Sequence, residues 1–169
     1  QIPPNMVLYG ITIILTVYIS MPLLSEIYRA ANDPSLDYTK TQSWVTVTGR
    51  AREPFRQYLA KYTEQRQRAF FFNSTRKLWP PEVRDQVTSD DLAILIPAFT
   101  VSELTRAFEI GFLLYLPFIA IDLIVSNILL AMGMMMVSPL TISLPFKLFL
   151  FVVVDGWTRL IQGLVLSYE

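Results

Sequence analysis

Hydrophobic and polar positions divide the chain into three stretches. Residues 2–25 carry no charge, and the run from Met6 to Leu24 is long enough to cross a bilayer as one helix. Residues 26–91 hold eleven basic and nine acidic side chains, most of the 14 basic and 14 acidic residues of the chain. Residues 92–169 are again mostly apolar. We therefore predict a hydrophobic helix over 1–25, a polar and mostly helical insertion over 26–91, and a hydrophobic helical hairpin region over 92–169.

Within the polar stretch, helical periodicity begins at Pro54. Apolar side chains from Phe55 to Phe70 fall mostly on one face, which predicts an amphipathic helix with Pro54 in its first turn. A turn is predicted over 32–35, and residues 37–49 are polar and poorly periodic. Trp79-Pro80-Pro81 is expected to end the helical region. We interpret the charges of this stretch as a solvated surface rather than a site.

The last stretch contains two apolar arms, residues 110–131 and 140–157, that are hydrophobic on all sides. Gly133 and Pro139 bracket a turn between them, which predicts a helical hairpin. Its tip carries four methionines, Met132, Met134, Met135 and Met136. Methionine is flexible and closes irregular gaps without fixing one shape. Such a tip is typical of a deformable seal, although a methionine cluster is more often core packing.

Prolines interrupt these apolar stretches and predict breaks in the helices. Pro22 is expected to kink or end the first hydrophobic helix. Pro97 is expected to break the stretch 92–101, and Pro117 to kink the first arm. Ser138-Pro139 and Pro145 are expected to interrupt the start of the second arm.

Three charges lie in the apolar arms: Asp122, Lys147 and Asp155. Charges at such depth are costly, and each needs a partner or access to water. At about 1.5 Å per helical residue, Asp122 and Lys147 both lie roughly 18–20 Å from the tip. They could pair across the hairpin, or Lys147 could meet a carboxylate of another chain. Asp155 is expected to be a helix-end acid satisfied by nearby backbone or by Arg159, or else a subunit contact.

Composition excludes several kinds of function. The chain is 53% hydrophobic and 17% charged, which is too apolar for an ordinary soluble domain. It has no cysteine and no histidine, so thiol chemistry, zinc sites built on these residues and imidazole triads are excluded. Its net charge of zero gives no basic field for nucleic acid. No cofactor or metal is expected.

The residues from 92 onward resemble the export-gate protein shared by flagella and type III secretion systems, known as FliP in flagella and SctR in injectisomes. The resemblance covers nearly the whole chain and is carried by these motifs: Leu95-Ile96-Pro97-Ala98-Phe99, Ser102-Glu103-Leu104, Ala107-Phe108-Glu109-Ile110-Gly111-Phe112, Leu116-Pro117-Phe118, Ile121-Asp122-Leu123, Met132-Gly133-Met134-Met135-Met136, Ser138-Pro139, Ile142-Ser143-Leu144-Pro145-Phe146-Lys147 and Asp155-Gly156-Trp157. Gln1 to Met6 resembles the segment after the family's first hydrophobic helix, so the chain is expected to be a fragment that lacks that helix. Residues 30–90 are too variable to compare.

The resemblance implies an all-α, membrane-associated subunit of a helical, conical assembly, and no enzymatic activity. It implies a homopentamer that assembles with two smaller partner families, the Q and R export proteins of flagella (S and T in injectisomes). Larger export-gate and basal-body proteins, membrane lipid and unfolded secretion substrates are further expected partners. The expected location is the bacterial inner membrane, on the periplasmic side of the basal body.

The resemblance also implies roles for residues. The methionine turn would be a pore gasket formed by Met134, Met135 and Met136, with Met132 just before it. Gly133, Ser138, Pro139 and Pro145 would set the hairpin geometry. Lys147 would pair with a glutamate of the Q/S subunit, which favours a partner chain over Asp122. Ser138-Pro139 and Asn5 favour the virulence-type branch over the flagellar one.

Two other functions fit the same charges. An intramembrane aspartyl protease could use Asp122 and Asp155, because two close carboxylates can share a proton. However, Gly-Trp follows Asp155, and the Gly-x-Gly-Asp context of that family is missing. A stand-alone ion or proton transporter could use Asp122, Lys147 and Asp155 as a relay. A transporter would act alone, whereas an export-gate subunit would co-purify with its partners.

Overall fold

The computed structural model describes residues 4–32, 39 and 41–168, without the side chain of Ala30. All regular secondary structure in these ranges is helical, which confirms the predicted all-α fold. The helices are α1 (Asn5–Ala31), α2 (Thr41–Tyr62), α3 (Gln65–Leu78), α4 (Pro81–Arg84), α5 (Leu92–Ala131), α6 (Pro139–Val153) and α7 (Gly156–Leu166). The turn predicted over 32–35 lies, apart from Asn32, outside the described residues.

Helix α1 is longer than the hydrophobic run that predicted it. It begins at Asn5, directly after Pro4, and continues through Pro22 to Ala31. Of the two outcomes expected at Pro22, a kink or an end of the helix, the structure excludes the end. A proline inside a helix removes one backbone hydrogen bond, and packing along the rest of the helix can offset that loss. Here α1 packs along α2, the largest helix–helix contact in the described residues.

Helix α2 begins thirteen residues before the proline that was expected to start it. Pro54 lies inside α2, so its interpretation as a first-turn residue was wrong. The poorly periodic residues from Thr41 to Gly49 are helical. In this part the hydroxyls of Thr46 and Thr48 donate to the carbonyls of the preceding turn, at 3.1 and 3.0 Å. The packing of α2 on α1 overrides the weak local preference of these residues.

The polar insertion contains a break between α2 and α3 that the sequence did not predict. Glu64, the residue before α3, has an extended backbone (φ −64°, ψ 133°). Its N–H donates to the Ser102 hydroxyl at 3.0 Å, and that hydroxyl donates to the Ala98 carbonyl at 2.8 Å. Helix α3 ends at Leu78, just before Trp79-Pro80-Pro81, as predicted.

Helix α5 is a single helix of 40 residues, about 60 Å long. It passes through Pro97 and Pro117 without ending, so the break predicted at Pro97 was wrong. Its first turns supply most of the fully buried side chains of the described residues: Ile94, Leu95, Ala98 and Ser102, each 0 or 1% exposed. Packing divides the chain into two compact units, one ending at Leu104 and the other starting at Thr105.

The second arm of the hairpin consists of two helices. Pro139 is the first residue of α6, and Pro145 lies inside α6 rather than interrupting it. The axes of α6 and α7 differ by 56°. At the bend Asp155 adopts a left-handed conformation (φ 53°, ψ 50°), which is uncommon for a residue other than glycine.

Two of the described helices are long and apolar enough to cross a membrane, namely residues 5–29 of α1 and the whole of α5. The bent pair α6–α7 gives a third if it counts as one span. In the 18-residue apolar stretch of α1, 0% of the residues are buried within the chain. In the corresponding stretch of α5 the share is 11%. These apolar surfaces must therefore be covered by lipid or by other chains.

Candidate functional site

The methionine turn that joins α5 to α6 is closed by its own backbone. The N–H of Gly133 donates to the Leu130 carbonyl at 3.0 Å, and the N–H of Met134 donates to the Leu129 carbonyl at 2.9 Å. This pair of bonds is the Schellman motif, which requires a left-handed residue after the helix end. Gly133 has φ +71° and fills that position without strain. The predicted turn and its glycine therefore lie where the sequence placed them.

The methionine side chains take no part in closing the turn. Met132, Met134, Met135 and Met136 are 64, 45, 83 and 100% exposed. After them Val137 and Ser138 lead into Pro139 at the start of α6. The turn therefore presents a flexible apolar tip away from the core of its own chain, and the packing interpretation of these methionines does not hold within the single chain.

Behind the turn, Asp122 and Lys147 form an ion pair across the hairpin. Lys147 Nζ lies 2.6 Å from Asp122 Oδ2, and their side chains are 21 and 27% exposed. The Ser143 hydroxyl donates to Asp122 Oδ1, also at 2.6 Å, and Ser143 is fully buried. Each oxygen of the carboxylate thus has its own donor. The sequence left two partners open for Lys147, Asp122 and a carboxylate of another chain. In the isolated chain Lys147 pairs with Asp122.

Ser143 was not among the predicted site residues. Its signal in the sequence is its spacing from Lys147, because residues four apart lie on the same face of a helix. Both side chains of α6 therefore reach one carboxylate of α5. A buried charge is tolerated when its pairing and hydrogen bonds are complete. Here the charge pair holds the two arms of the hairpin together.

Asp155 lies apart from this pair, at the bend between α6 and α7. Its carboxylate accepts a hydrogen bond from the Thr158 hydroxyl at 3.0 Å, and its carbonyl accepts the Arg159 N–H at 3.1 Å. The next residue, Gly156, faces the Phe151 ring so closely that a Cβ there would lie 2.4 Å from a ring carbon. Asp155 thus has the helix-end position that the sequence allowed, and it precedes a glycine at which any larger residue would require the Phe151 ring to shift.

The charges of the insertion pair locally on its surface. Arg68 pairs with Asp90, and Arg52 Nη2 lies 3.9 Å from Asp91 Oδ1. Arg56 binds the exposed Glu53 carboxylate through both Nε and Nη2, at 2.9 and 2.5 Å. Hydrogen bonds from Arg56, and then from Gln57, lower the pKa of Glu53 to about 2. This pattern fits a solvated surface.

No group of three or more acidic, histidine or cysteine side chains that could hold a metal occurs in the described part of the chain. The candidate site thus consists of two parts, the Asp122–Lys147 ion pair inside the hairpin and the exposed methionine turn at its tip. Together with the long apolar helices, these parts define a class of helical membrane protein whose exposed apolar surfaces fit an assembly.

A family model described as the FliP family matches residues 1–164. The chain belongs to this family, as its motifs predicted. It is 56% identical over 167 residues to the probable translocation protein y4yL of Sinorhizobium fredii, covering 99% of this chain and 75% of that relative. It is 57% identical over 170 residues to the Yop proteins translocation protein R of Yersinia pestis, covering 99% of this chain and 77% of that relative.

A further relative is the hypersensitivity response secretion protein HrcR of Ralstonia nicotianae. It is 47% identical over 171 residues, covering all of this chain and 79% of that relative. The names of these relatives agree with the virulence-type branch that the residues favoured.

Proposed function

We propose that this chain is a core subunit of a type III secretion export apparatus. Copies of the chain, as a homopentamer, and two smaller partner families of the Q/S and R/T types form a gated channel for unfolded proteins. The methionine turn acts as the gasket of that channel. The single observation that carries the proposal is the exposed methionine tip on a backbone turn that is closed without it. The subunit works by assembly and not by catalysis.

The physical basis of the gasket is an apolar constriction. Several methionine tips converging on one axis would leave a narrow ring without polar groups, and such rings block ions by excluding water. Methionine side chains repack around partners of different shape, so the same ring could fit closely around an unfolded chain of any sequence. Sealing and passage would then use the same side chains.

The gasket predicts a change in ion leak. In the assembled complex, replacing Met134, Met135 and Met136 together with alanine should raise the ion conductance of the closed channel, because alanine leaves the ring open. The matched control replaces the same three residues with leucine, which keeps the ring apolar and filled. We expect the leucine variant to stay closed to ions. Unchanged conductance in the alanine variant would contradict the gasket.

We also propose that Lys147, Asp122 and Asp155 contribute to contacts between subunits. The hairpin pair is partly exposed, so an acid of the Q/S subunit could approach Lys147 when the chains assemble. Lys147→Glu should then block co-purification of the Q/S subunit, and a reversed charge on that partner should restore it. Normal assembly of the single variant would remove Lys147 from this contact.

The proposed location is the inner membrane, with the assembled core towards the periplasm. The apolar surfaces of α1, α5 and α6 support a position in lipid before assembly. One experiment can test both the proposed partner subunits and the proposed membrane location. Expressed with the Q/S and R/T subunits, the chain should be recovered from the inner membrane as one complex with both. Recovery of a functional chain alone would instead favour the transporter.

A further inference from the structure

The ammonium of Lys147 is paired within its own hairpin, but not all of its donors are used there. Lys147 Nζ donates to Asp122 Oδ2 at 2.6 Å, and it makes no other hydrogen bond in the described residues. An ammonium carries three N–H donors, so the remaining ones are open to water or to another molecule. The Lys147 side chain is 21% exposed, so part of its surface can be reached from outside the hairpin. The pair is therefore closed within the chain and still accessible to a second acid.

The two donors that hold the Asp122 carboxylate differ in their access to the outside. The Ser143 hydroxyl donates to Oδ1, and Ser143 is 0% exposed. Lys147 donates to Oδ2 and is partly exposed. The serine donor is thus fixed inside the hairpin, and the lysine donor is the one that another acid can draw away. If Lys147 turned towards that acid, Asp122 would keep one charge-assisted hydrogen bond.

Two carboxylates that approach the same ammonium compete for it. Asp122 already neutralises Lys147, and its negative charge repels a second acid that comes close. A partner acid must either displace Asp122 or share the ammonium with it. In both cases it binds less tightly than it would bind to an unpaired lysine. When only a fraction of the molecules is competent to bind, the apparent dissociation constant rises by the inverse of that fraction.

We propose that Asp122 masks Lys147 in the free chain, so that the acid of a partner subunit competes with Asp122 during assembly while Ser143 retains the Asp122 carboxylate. The proposal rests on the contact between Lys147 and the Q/S subunit proposed above. Asp122 and Ser143 are then positioning residues, because they act on the partner through Lys147. A paired charge is less costly among apolar surroundings than a lone one, so the masked form suits the chain before assembly.

Binding of the Q/S subunit to the full chain tests this competition. The chain is titrated into purified Q/S subunit that carries a fluorophore, in detergent micelles, and fluorescence anisotropy gives the dissociation constant. Lys147→Gln tests the contact on which the proposal rests. It should raise the dissociation constant at least about tenfold, because the partner acid loses its cation.

Asp122→Asn should have the opposite effect. The amide keeps the shape of the carboxylate and removes the charge that competes for Lys147. We expect the dissociation constant to fall about tenfold, the factor that applies when the masked form outnumbers the open one about ten to one. Glu109→Gln is the matched control, since Glu109 is an exposed acid of α5 that lies 13 residues before Asp122. This is about 20 Å of helix, beyond the screening length at ordinary salt, so the control should change the dissociation constant less than about twofold.

Ser143→Ala is a second test, which keeps both charges and decides the question if circular dichroism shows that Asp122→Asn does not fold. It should raise the dissociation constant about three- to tenfold, because Asp122 then has no donor of this pair of helices left when Lys147 is drawn away. In the Asp122→Asn background the effect should be smaller, since a neutral amide loses a weaker hydrogen bond than a carboxylate does. A merely structural contribution of Ser143 would weaken binding equally in both backgrounds.

The outcomes separate the masking from the contact that it regulates. If Lys147→Gln binds the Q/S subunit as tightly as the parent does, the proposed contact fails, and the masking fails with it. If Lys147→Gln weakens binding but Asp122→Asn leaves it unchanged, the contact stands and the masking is wrong. Weaker binding by Asp122→Asn would overturn the masking too, because Asp122 would then hold the ammonium in place for the partner. An equal loss for Ser143→Ala in both backgrounds would remove Ser143 from the exchange.

Discussion

The ion pair between Asp122 and Lys147 should contribute measurably to the stability of the isolated chain. We consider Lys147→Met, which keeps an unbranched side chain of similar length but removes the charge. Asp122 would then lose the donor of Oδ2, at 2.6 Å, and keep only the Ser143 hydroxyl. Removing one partner of a buried ion pair costs about 3–5 kcal/mol. Because both side chains are about a quarter exposed, we expect about 2–3 kcal/mol here.

Asp122→Leu should have a similar cost, because it leaves the Lys147 ammonium without its carboxylate. The double variant should differ from the parent by only about 1 kcal/mol, since replacing both partners with apolar groups removes the unpaired charge. The two single costs therefore should not add. A double-mutant cycle measures this difference as a coupling free energy, which we expect to be at least about 2 kcal/mol.

The measurement is reversible unfolding in mixed detergent micelles, followed by far-ultraviolet circular dichroism as the fraction of dodecyl sulfate rises. Lys77→Met is a matched control, because Lys77 lies on the exposed surface of α3, and we expect a change of at most about 0.5 kcal/mol. If the two single costs add within error, or if Lys147→Met behaves like Lys77→Met, the pair does not stabilise the hairpin of the free chain. Lys147 would then depend on a partner chain alone.

Three other substitutions test separate features by the same unfolding assay. Gly133→Ala should lower the free energy of unfolding by about 1–2 kcal/mol, because φ at this position is +71°. Gly111→Ala, inside a helix, should raise it by about 0.5–1 kcal/mol. A change of the same sign in both variants would contradict the Schellman motif at Gly133. Gly156→Ala should cost about 1–3 kcal/mol through its clash with the Phe151 ring, and the loss should shrink in a Phe151→Ala background. Ser102→Ala should cost about 1–3 kcal/mol because it leaves a backbone N–H before α3 unpaired; no loss would mean that water replaces the hydroxyl.

The sequence predicted the features that depend on composition over many residues. A long uncharged run predicts α1, and apolar arms around a glycine and a proline predict the hairpin, because burial and backbone geometry act locally there. It failed where a distant contact decides the local structure. The break at Glu64 depends on Ser102, 38 residues further along the chain, and no glycine or proline marks it.

Prolines were the main source of wrong boundaries. Pro22, Pro54, Pro97 and Pro145 all lie inside helices. Each removes one backbone hydrogen bond, but a long helix supported along its length or surrounded by lipid can tolerate that loss. The sequence left the partner of Asp122 undecided for a different reason. Spacing gave equal depth for both charges, but only the structure shows that Ser143 completes the arrangement.

The separation between the closed backbone of the methionine turn and its exposed side chains makes the tip a natural position for a reporter group. Because the chain contains no cysteine, Met136→Cys would introduce a single thiol at a fully exposed position. No hydrogen bond of the turn involves the Met136 side chain, so a spin label or fluorophore attached there should leave the hairpin intact. Distances between such labels would then report how far apart the tips lie in an assembly, and so test whether they meet at the proposed gasket.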